Sequence, residues 1–320
     1  MGTKIISTGA YQPDNMVTNQ TMEQLVETSD EWIKSRSGIE KRAITIDENT
    51  SDLAFNAATM ALERAGMDAQ ELDMIIVGTV TGDYVFPGIA QLLQKRLGAK
   101  NIPAFDVNAA CTGFIYTLEI ADKMIRSGAY KKILVIGAEA LSKYTDFSDR
   151  NTCVLFADGA GAAIVSHHDD DQILAVSAHT EGSAEYLKMD GYPLKENFKT
   201  PTQPRPFIEM NGKEVFKFAT SALPKTIEEL LDMSGLKLDN IDKFVAHQAN
   251  ARIITHAAKH MDIPMEKMVM NIAHTGNTSA ASVPLALHEA IMNQTIQKGD
   301  TVLMVAFGGG LTWGGAIVKI

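Results

Sequence analysis

The chain has 320 residues, 45% hydrophobic and 21% charged, a globular composition that excludes a disordered, fibrous or collagen-like polymer. Acidic residues outnumber basic ones 39 to 29, giving a net charge of −10 with no offsetting basic run, so the field repels nucleic acid and any basic docking site must be local. Two cysteines, Cys111 and Cys153, exclude a disulfide framework and a Cys-rich metal site and point to a reducing, cytoplasmic compartment.

The N-terminal MGTKIISTGAYQPDN has no apolar signal core, and no uncharged stretch nears the roughly 18 residues of a membrane span. At roughly 150 residues per domain the length fits two domains or one domain twice. Sliding the sequence against itself by 169 positions favours duplication. ALERAGMDAQELDMIIVG, from Ala61, then faces LLDMSGLKLDNIDKFVAH without a gap, pairing Leu62 with Leu231, Gly66 with Gly235 and Asp73 with Asp242. At the same offset KILVI from Lys132 faces TVLMV, and Asn108, Leu118 and Ala121 meet Asn277, Leu287 and Ala290.

Each half reads as helix, Gly stop, Asp-led apolar strand, second strand, helix and third strand. The helix after Cys111 sets Phe114, Leu118, Ala121 and Ile125 on one face, with Gly128 as its stop. MIIV, ILVIGA and TVLMVAF are continuous apolar runs, as strands covered on both faces should be, and the alternation predicts a mostly parallel α/β sheet in each half. The halves are placed at residues 1–170 and 171–320. They close differently: Gly137 and Gly161 lie 24 positions apart, Ala306 and Gly314 only eight, an insertion of 24 − 8 = 16 in the first half. Residues 179–212 hold four of the ten prolines (Pro193, Pro201, Pro204, Pro206) and read as a long surface loop.

Cys111 lies in FDVNAACTGF, where an apolar strand runs through small residues into a helix. A lone cysteine is usually a small buried hydrophobe, but a helix N-terminus is expected to draw a thiol pKa from about 8.5 into roughly the 3.5 to 7.5 range, and the thiolate is the attacking form. Cys153, in NTCVLF, reads as a structural residue of a strand-like run. His247 closes the strand KFVAHQAN at the position matching Gly78, the carboxyl end where open sheets place ligands. Asn277, in HTGNTSAAS, sits at a similar corner and also reads as a turn or N-cap asparagine. If the halves are related by a pseudo-twofold, Cys111, His247 and Asn277 converge. The glycines Gly308 to Gly310 after TVLMVAF read both as a hairpin turn and as backbone donors to an oxyanion.

Other motifs fail. His256 and His260, four apart in HAAKH, lack the glutamate of a zinc-protease helix and read as solvated residues. ADGAGAA opens no helix, so it is not a dinucleotide fingerprint, and no phosphate-loop motif exists. The sixteen methionines read as core filling.

TSDEWI with SRSGIEKR, AACTGF, DRNTCVLFADGAGA, MNGKEVFKFA, HQANARI, GNTSAAS and FGGGLTWG together resemble, in order and spacing, the beta-ketoacyl-[acyl-carrier-protein] synthase III family. The resemblance covers essentially the whole chain; Ala251 and Ala273 depart from common family choices. It implies the duplicated thiolase-like fold, five-layered α/β/α/β/α, and an acyltransferase that condenses an acyl-CoA, acetyl-CoA first, with malonyl-[acyl-carrier-protein] in type II fatty acid biosynthesis. Cys111 would take the acyl group, His247 and Asn277 would bind the malonyl thioester oxygen, and the amides of Cys111 and Gly309 would form the oxyanion hole. Trp32 and Arg150 would sandwich the adenine. Arg36, Gly212, Phe216 and Asn250 would line the CoA path, Arg252 would meet the carrier protein, and Phe86 would cross a homodimer interface to bound the acyl pocket. No cofactor or metal is implied beyond CoA thioesters as substrates. Three alternatives stay open: a related ketosynthase with a branched or longer primer, a Cys-His-Asn hydrolase, and a noncatalytic acyl-binding scaffold.

Overall fold

The computed structural model describes residues 2–191 and 207–320. The first half runs β1 (Gly2–Tyr11), β2 (Met16–Thr18), α1 (Asn19–Met22), α2 (Asp30–Ser37), β3 (Lys41–Ala43), α3 (Thr50–Ala65), β4 (Met74–Gly78), α4 (Ile89–Arg96), β5 (Ala104–Val107), α5 (Gly113–Arg126), β6 (Lys132–Ala140), α6 (Arg150–Cys153) and β7 (Asp158–His168). There follow β8 (Ile173–Ser183), β9 (Leu187–Met189), β10 (Ile208–Met210), α7 (Gly212–Ser234), β11 (Lys243–Ala246), α8 (Ala251–His260), α9 (Ile272–Thr275), α10 (Ser282–Met292), β12 (Thr301–Gly308) and β13 (Gly310–Lys319).

Two sheets carry the fold, one ordered β1-β7-β6-β4-β5 and the other β11-β12-β13-β8. Between them lie α5 and α10, whose Phe114, Leu118, Ala121, Val283 and Leu287 pack against Ile76 and Val135 of one sheet and Val302 and Met304 of the other. Because side chains alternate along a strand, the intervening residues face outward. Ile75, Val77, Leu134 and Ile136 take the cover of α3 and α4, while Leu303, Val305 and Ile317 take that of α7 and α8. Five layers result, α/β/α/β/α. α10 is buried nearly all round, from Ser282 through His288, as a helix between two sheets must be.

Local signals set the element ends. Asn49 and Asp52 form a capping box before α3, and Gly66, at φ 63°, ends it in the left-handed conformation that glycine adopts without penalty. The insertion also falls where expected: Gly137 pairs with Gly161 and Ala306 with Gly314 as direct cross-strand partners.

Several expectations need correction. The sheets are mixed instead of mostly parallel: β4 runs parallel to β5 and β6, and β11 to β12, but β1, β6 and β7, and likewise β12, β13 and β8, pair antiparallel. The cause is that β12 returns to β13 through a tight turn and β6 to β7 through a segment whose α6 is a single turn, too short for the crossover a parallel pair requires. The second strand of the later half shrinks to a single bridge, Phe244 to Met268. NTCVLF is no strand, since Asp149 accepts from the Asn151 amide and caps the turn that makes α6. ADGAGAA lies within β7, where its glycines admit α10: a Cβ at Gly161 would lie 2.8 Å from the Leu285 nitrogen. Within 179–212, residues 179–183 complete β8, and β9 pairs with β10 as a short ribbon; the four prolines lie outside the described residues. Methionine is not confined to the core, because Met16, Met124, Met233, Met265, Met270 and Met292 are exposed.

Candidate active site

The nucleophile corner is built from small residues. After β5 the chain turns through Asn108 and Ala109, Ala110 takes φ 45°, and a single 3-10 turn, Ala110–Thr112, presents Cys111 before α5 begins at Gly113. A non-glycine residue at positive φ is strained and persists where the surroundings hold it. The closeness of strand and helix explains Gly78: a Cβ there would lie 2.6 Å from the Gly113 carbonyl carbon. The expected depression of the thiol pKa is not found. Burial pushes Cys111 up to about 12, because a thiolate there loses its water, and the short turn and helix start do not compensate. Cys153 is fully buried in a core cluster with Met22, Ile33 and Ile39, and burial pushes it up to about 11.

His247 and Asn277 come from the second half. The His247 amide donates to the Val305 carbonyl at 2.8 Å, fixing the residue one step beyond β11, and its ring stands edge-on to Phe307 at 5.3 Å. Nδ1 is buried without a hydrogen-bond partner among the described residues, and desolvation draws the imidazole down to about 3, so it is neutral at any working pH. The Asn277 backbone spans the halves, its amide donating to Leu155 and its carbonyl accepting from Ala157. Its Oδ1 accepts from the Ser279 amide at 3.0 Å, leaving Nδ2 without a protein partner among the described residues.

A cavity of about 780 Å³ brings Cys111, His247, Asn277, Gly308 and Gly309 together and is also lined by Trp32, Arg36, Arg150, Gly212, Phe216 and Asn250. Trp32 is half-buried and Arg36 and Arg150 are exposed, so the cavity leads from a basic surface to the buried thiol. The glycine turn is both hairpin and wall. A Cβ at Gly308 would stand 2.7 Å from the Cys111 nitrogen and 3.1 Å from its Cβ. Gly308→Ala must therefore push the Cys111 backbone aside, and acyl transfer to Cys111, read by mass spectrometry, should slow about 10²-fold while the circular dichroism spectrum is kept.

Other predicted residues are placed less simply. Arg150 already stacks on Trp32, its guanidinium carbon 4.9 Å from the ring centroid, and donates to the Glu27 carbonyl. A ring enters between them only once the guanidinium lifts away. Asn250 caps α8 by accepting from the Arg252 amide and donates to the Arg36 carbonyl, so its side chain joins α2 to α8. Arg252 is exposed outside the cavity lining, 5.7 Å over Phe216. Phe86 lines neither cavity and is 85% exposed beside Tyr84 and Val85. His256 and His260 are exposed and stacked, and no cluster of metal-ligating side chains occurs among the described residues.

Sequence reasoning missed Lys213, a third cation on the cavity wall beside Gly212. It also missed a second cavity of about 270 Å³ that Cys111 shares with Leu141, Leu187, Met189 and Ile208. The ribbon that walls it has strands of three residues, too short for periodicity to reveal.

Residues 105–182 match the family model of 3-oxoacyl-[acyl-carrier-protein] synthase III, and residues 231–320 match the model of its C-terminal part. A beta-ketoacyl-[acyl-carrier-protein] synthase III of Clostridium perfringens is 49% identical over 99% of both chains, and one of Xanthomonas campestris is 47% identical over 99% of this chain and 98% of that one. Among solved structures, the 3-oxoacyl-[acyl-carrier-protein] synthase III of Aquifex aeolicus superposes at TM-score 0.93 with 46% identity over the whole of both chains. The priming beta-ketosynthase of the R1128 polyketide pathway superposes at 0.95 with 33% identity, covering 100% of this chain and 96% of that one. With such identity along its whole length, this thiolase-like chain belongs to the beta-ketoacyl-[acyl-carrier-protein] synthase III family of condensing acyltransferases.

Proposed function

We infer that this chain performs the decarboxylative condensation of an acyl-CoA, acetyl-CoA first, with malonyl-[acyl-carrier-protein], giving 3-oxoacyl-[acyl-carrier-protein], CO2 and CoA, and so initiates fatty acid synthesis. The observation that carries the reading is the meeting of Cys111, His247, Asn277 and the glycine turn at the buried end of one cavity. Cys111 attacks the thioester carbonyl, CoA leaves, and the acyl group stays on sulfur, which divides one difficult transfer into two. The neutral imidazole of His247 and Nδ2 of Asn277 then donate to the malonyl thioester oxygen, which becomes an enolate oxygen as CO2 departs. The enolate carbon attacks the acyl-Cys111 carbonyl, whose oxyanion the Cys111 and Gly309 amides hold. A neutral ring suits a donor role, and the buried His247 supplies one.

Trp32 and Arg150 serve the adenine, with the guanidinium swinging off the indole on entry, and Arg36, Gly212, Phe216 and Asn250 form the CoA path. Arg252, exposed on a chain of net charge −10, serves the acidic carrier protein. Arg252→Glu should raise KM for malonyl-[acyl-carrier-protein] about tenfold and leave that for acetyl-CoA unchanged. Equal effects on both substrates would remove the docking role. Exposed Tyr84, Val85 and Phe86 fit a homodimer in which Phe86 bounds the partner's acyl pocket. We assign halves at 1–170 and 171–320, supported by their separate sheets, and a cytoplasmic location; among the described residues no helix is long and apolar enough to cross a membrane, and both cysteines are free.

A second reading has one observation in its favour. The 270 Å³ cavity behind Cys111 exceeds the volume of an acetyl group, which suits a branched or longer primer. The hydrolase reading has none: Asn277 bonds to Ser279 instead of orienting the imidazole, and His247 makes no ring hydrogen bond to Cys111 among the described residues. The test is to incubate the protein with labelled acetyl-, isobutyryl- or hexanoyl-CoA, then add malonyl-[acyl-carrier-protein] and follow label and CO2. Label on the protein followed by CO2 release supports condensation, and the fastest donor names the primer. Hydrolysis without CO2 would overturn the reading.

A further inference from the structure

The mechanism above leaves the buried Glu139 unused and one proton unassigned. Ionising Cys111 releases a proton deep in the fold, and His247, held neutral by burial, is a poor acceptor. Glu139 lies on the other side. It is fully buried near the end of β6, and four donors converge on its carboxylate: the Val80 amide at 3.2 Å and the hydroxyls of Thr81 at 2.6 Å, Thr79 at 3.3 Å and Ser279 at 3.2 Å. The Thr hydroxyl directions are fixed, because Thr81 Oγ1 accepts from the Ala140 amide and Thr79 Oγ1 from the Thr81 amide. Ser279 is the member that faces the chemistry. Its hydroxyl and the Cys111 thiol line the same smaller cavity, where the hydroxyl favours the thiolate, and its amide holds Asn277 Oδ1.

The repeat explains how this hub arose. Ser279 takes φ 50° and matches Ala110 at φ 45°, since 110 + 169 = 279. Glu139 matches Gly308, since 139 + 169 = 308. On one side of the pseudo-twofold the position is a glycine that makes room at the Cys111 amide, and on the other it is an acid that reaches the opposite elbow.

We propose that Glu139, acting through the Ser279 hydroxyl, is the positioning residue that receives the Cys111 proton on attack and returns it when the acyl group leaves. The Sγ–H bond breaks as a proton forms a bond to Ser279 Oγ, and the serine's own proton passes to Glu139 Oε1. The charge moves from carboxylate to sulfur, so the pocket holds one negative charge through ionisation and attack, and the departing CoA thiolate carries it out. Ionising the thiol beside a carboxylate that stays charged would place two there, which the low dielectric penalises. The departing CoA thiolate takes its proton from solvent, and condensation expels Cys111 thiolate, which recovers the proton from Glu139 through Ser279. Burial raises Glu139 to about 7, so both of its states are accessible.

Few other titratable groups meet it. The Thr79 to Thr81 segment and the Ser279 turn bring only hydroxyls, the opposite residue on β7 is Gly159, and Asp158 one rung on is turned to Ser142 and the Thr45 amide. Across Ser279 stands the Cys111 thiol, and no cation pairs with Glu139 among the described residues.

The inference deepens the condensing reading, so its test begins with a probe that needs no acyl-CoA. The rate of Cys111 alkylation by iodoacetamide is measured against pH by mass spectrometry, then the rate of acylation by acetyl-CoA, for the wild type, Glu139→Gln, Glu139→Asp and Ser279→Ala, each checked for folding by circular dichroism. The wild type should show an inflection near the value of about 7 that burial gives Glu139. Glu139→Gln and Ser279→Ala should both lose it and acylate about 10²-fold more slowly with unchanged KM for acetyl-CoA, while Glu139→Asp keeps the inflection at a reduced rate. A wild-type profile without the inflection, or one preserved in Ser279→Ala, would overturn the relay even if Glu139→Gln fails to fold. An intact alkylation profile without acylation would refute the substrate assignment alone.

Discussion

Cys111→Ala is expected to remove covalent acylation entirely and to lower kcat/KM for condensation by at least about 10⁴-fold, the scale of losing a nucleophile whose partners remain. The loss should be chemical and not structural. Sγ is a single atom beside a cavity, so its removal costs about 1 kcal/mol and the thermal melt should move by only a few degrees. Cys153 cannot substitute, being fully buried with its thiol pushed up to about 11. Intact-mass measurement after incubation with acetyl-CoA gives the answer: the wild type gains one acyl group per chain and the variant gains none. A variant that still acquires label would remove Cys111 from the nucleophile role.

His247→Ala should separate the two half-reactions. Acylation of Cys111 should persist within a few-fold, while CO2 release from malonyl-[acyl-carrier-protein] falls about 10²- to 10³-fold, the usual effect of deleting one donor to a developing oxyanion. The ring's buried setting also predicts the pH behaviour of this step. A histidine pKa lowered to about 3 means that the neutral form prevails above that value, so decarboxylation should show no imidazole limb between about pH 5 and 8. A limb near pH 6.5 that vanishes in His247→Ala would show instead that the ring titrates and does not act as a fixed neutral donor. Unchanged CO2 release in the variant would remove the role altogether.

Much of this site was legible because it stands at places where sequence and topology speak together. Cys111, His247 and Asn277 each stand at a strand-to-helix or strand-to-turn corner, and the 169-residue offset implies that they converge if the halves are related by a pseudo-twofold. Strands apolar on both faces announced sheets covered by helices, and the family resemblance implied the five layers. What escaped notice was set by contacts distant in sequence. The thiol's raised pKa depends on how completely it is buried, which no local pattern reports. The antiparallel returns of β7 and β13 depend on the lack of a helix long enough to cross the sheet, and alternation of apolar runs alone does not distinguish that from a short crossover. Arg150 lying on Trp32 joins residues more than a hundred positions apart. Glu139 did leave a signal, since it is the one charge in the run ILVIGAEA, otherwise made for the core, and such a residue must have donors waiting for it.

The matched corners also say what became of the second copy of the site. At the offset of 169, Cys111 answers to Ala280 and His247 to Gly78, so the opposite corner keeps a strained elbow and an asparagine but neither thiol nor imidazole. Its space is taken up by packing, with Gly78 pressed against Gly113 and Gly137 against Ala280. A symmetric ancestor with two equal centres would have had to tune each elbow for attack and for support at once. Within one duplicated chain the two duties fall on different residues, and the retired centre becomes the scaffold of the working one.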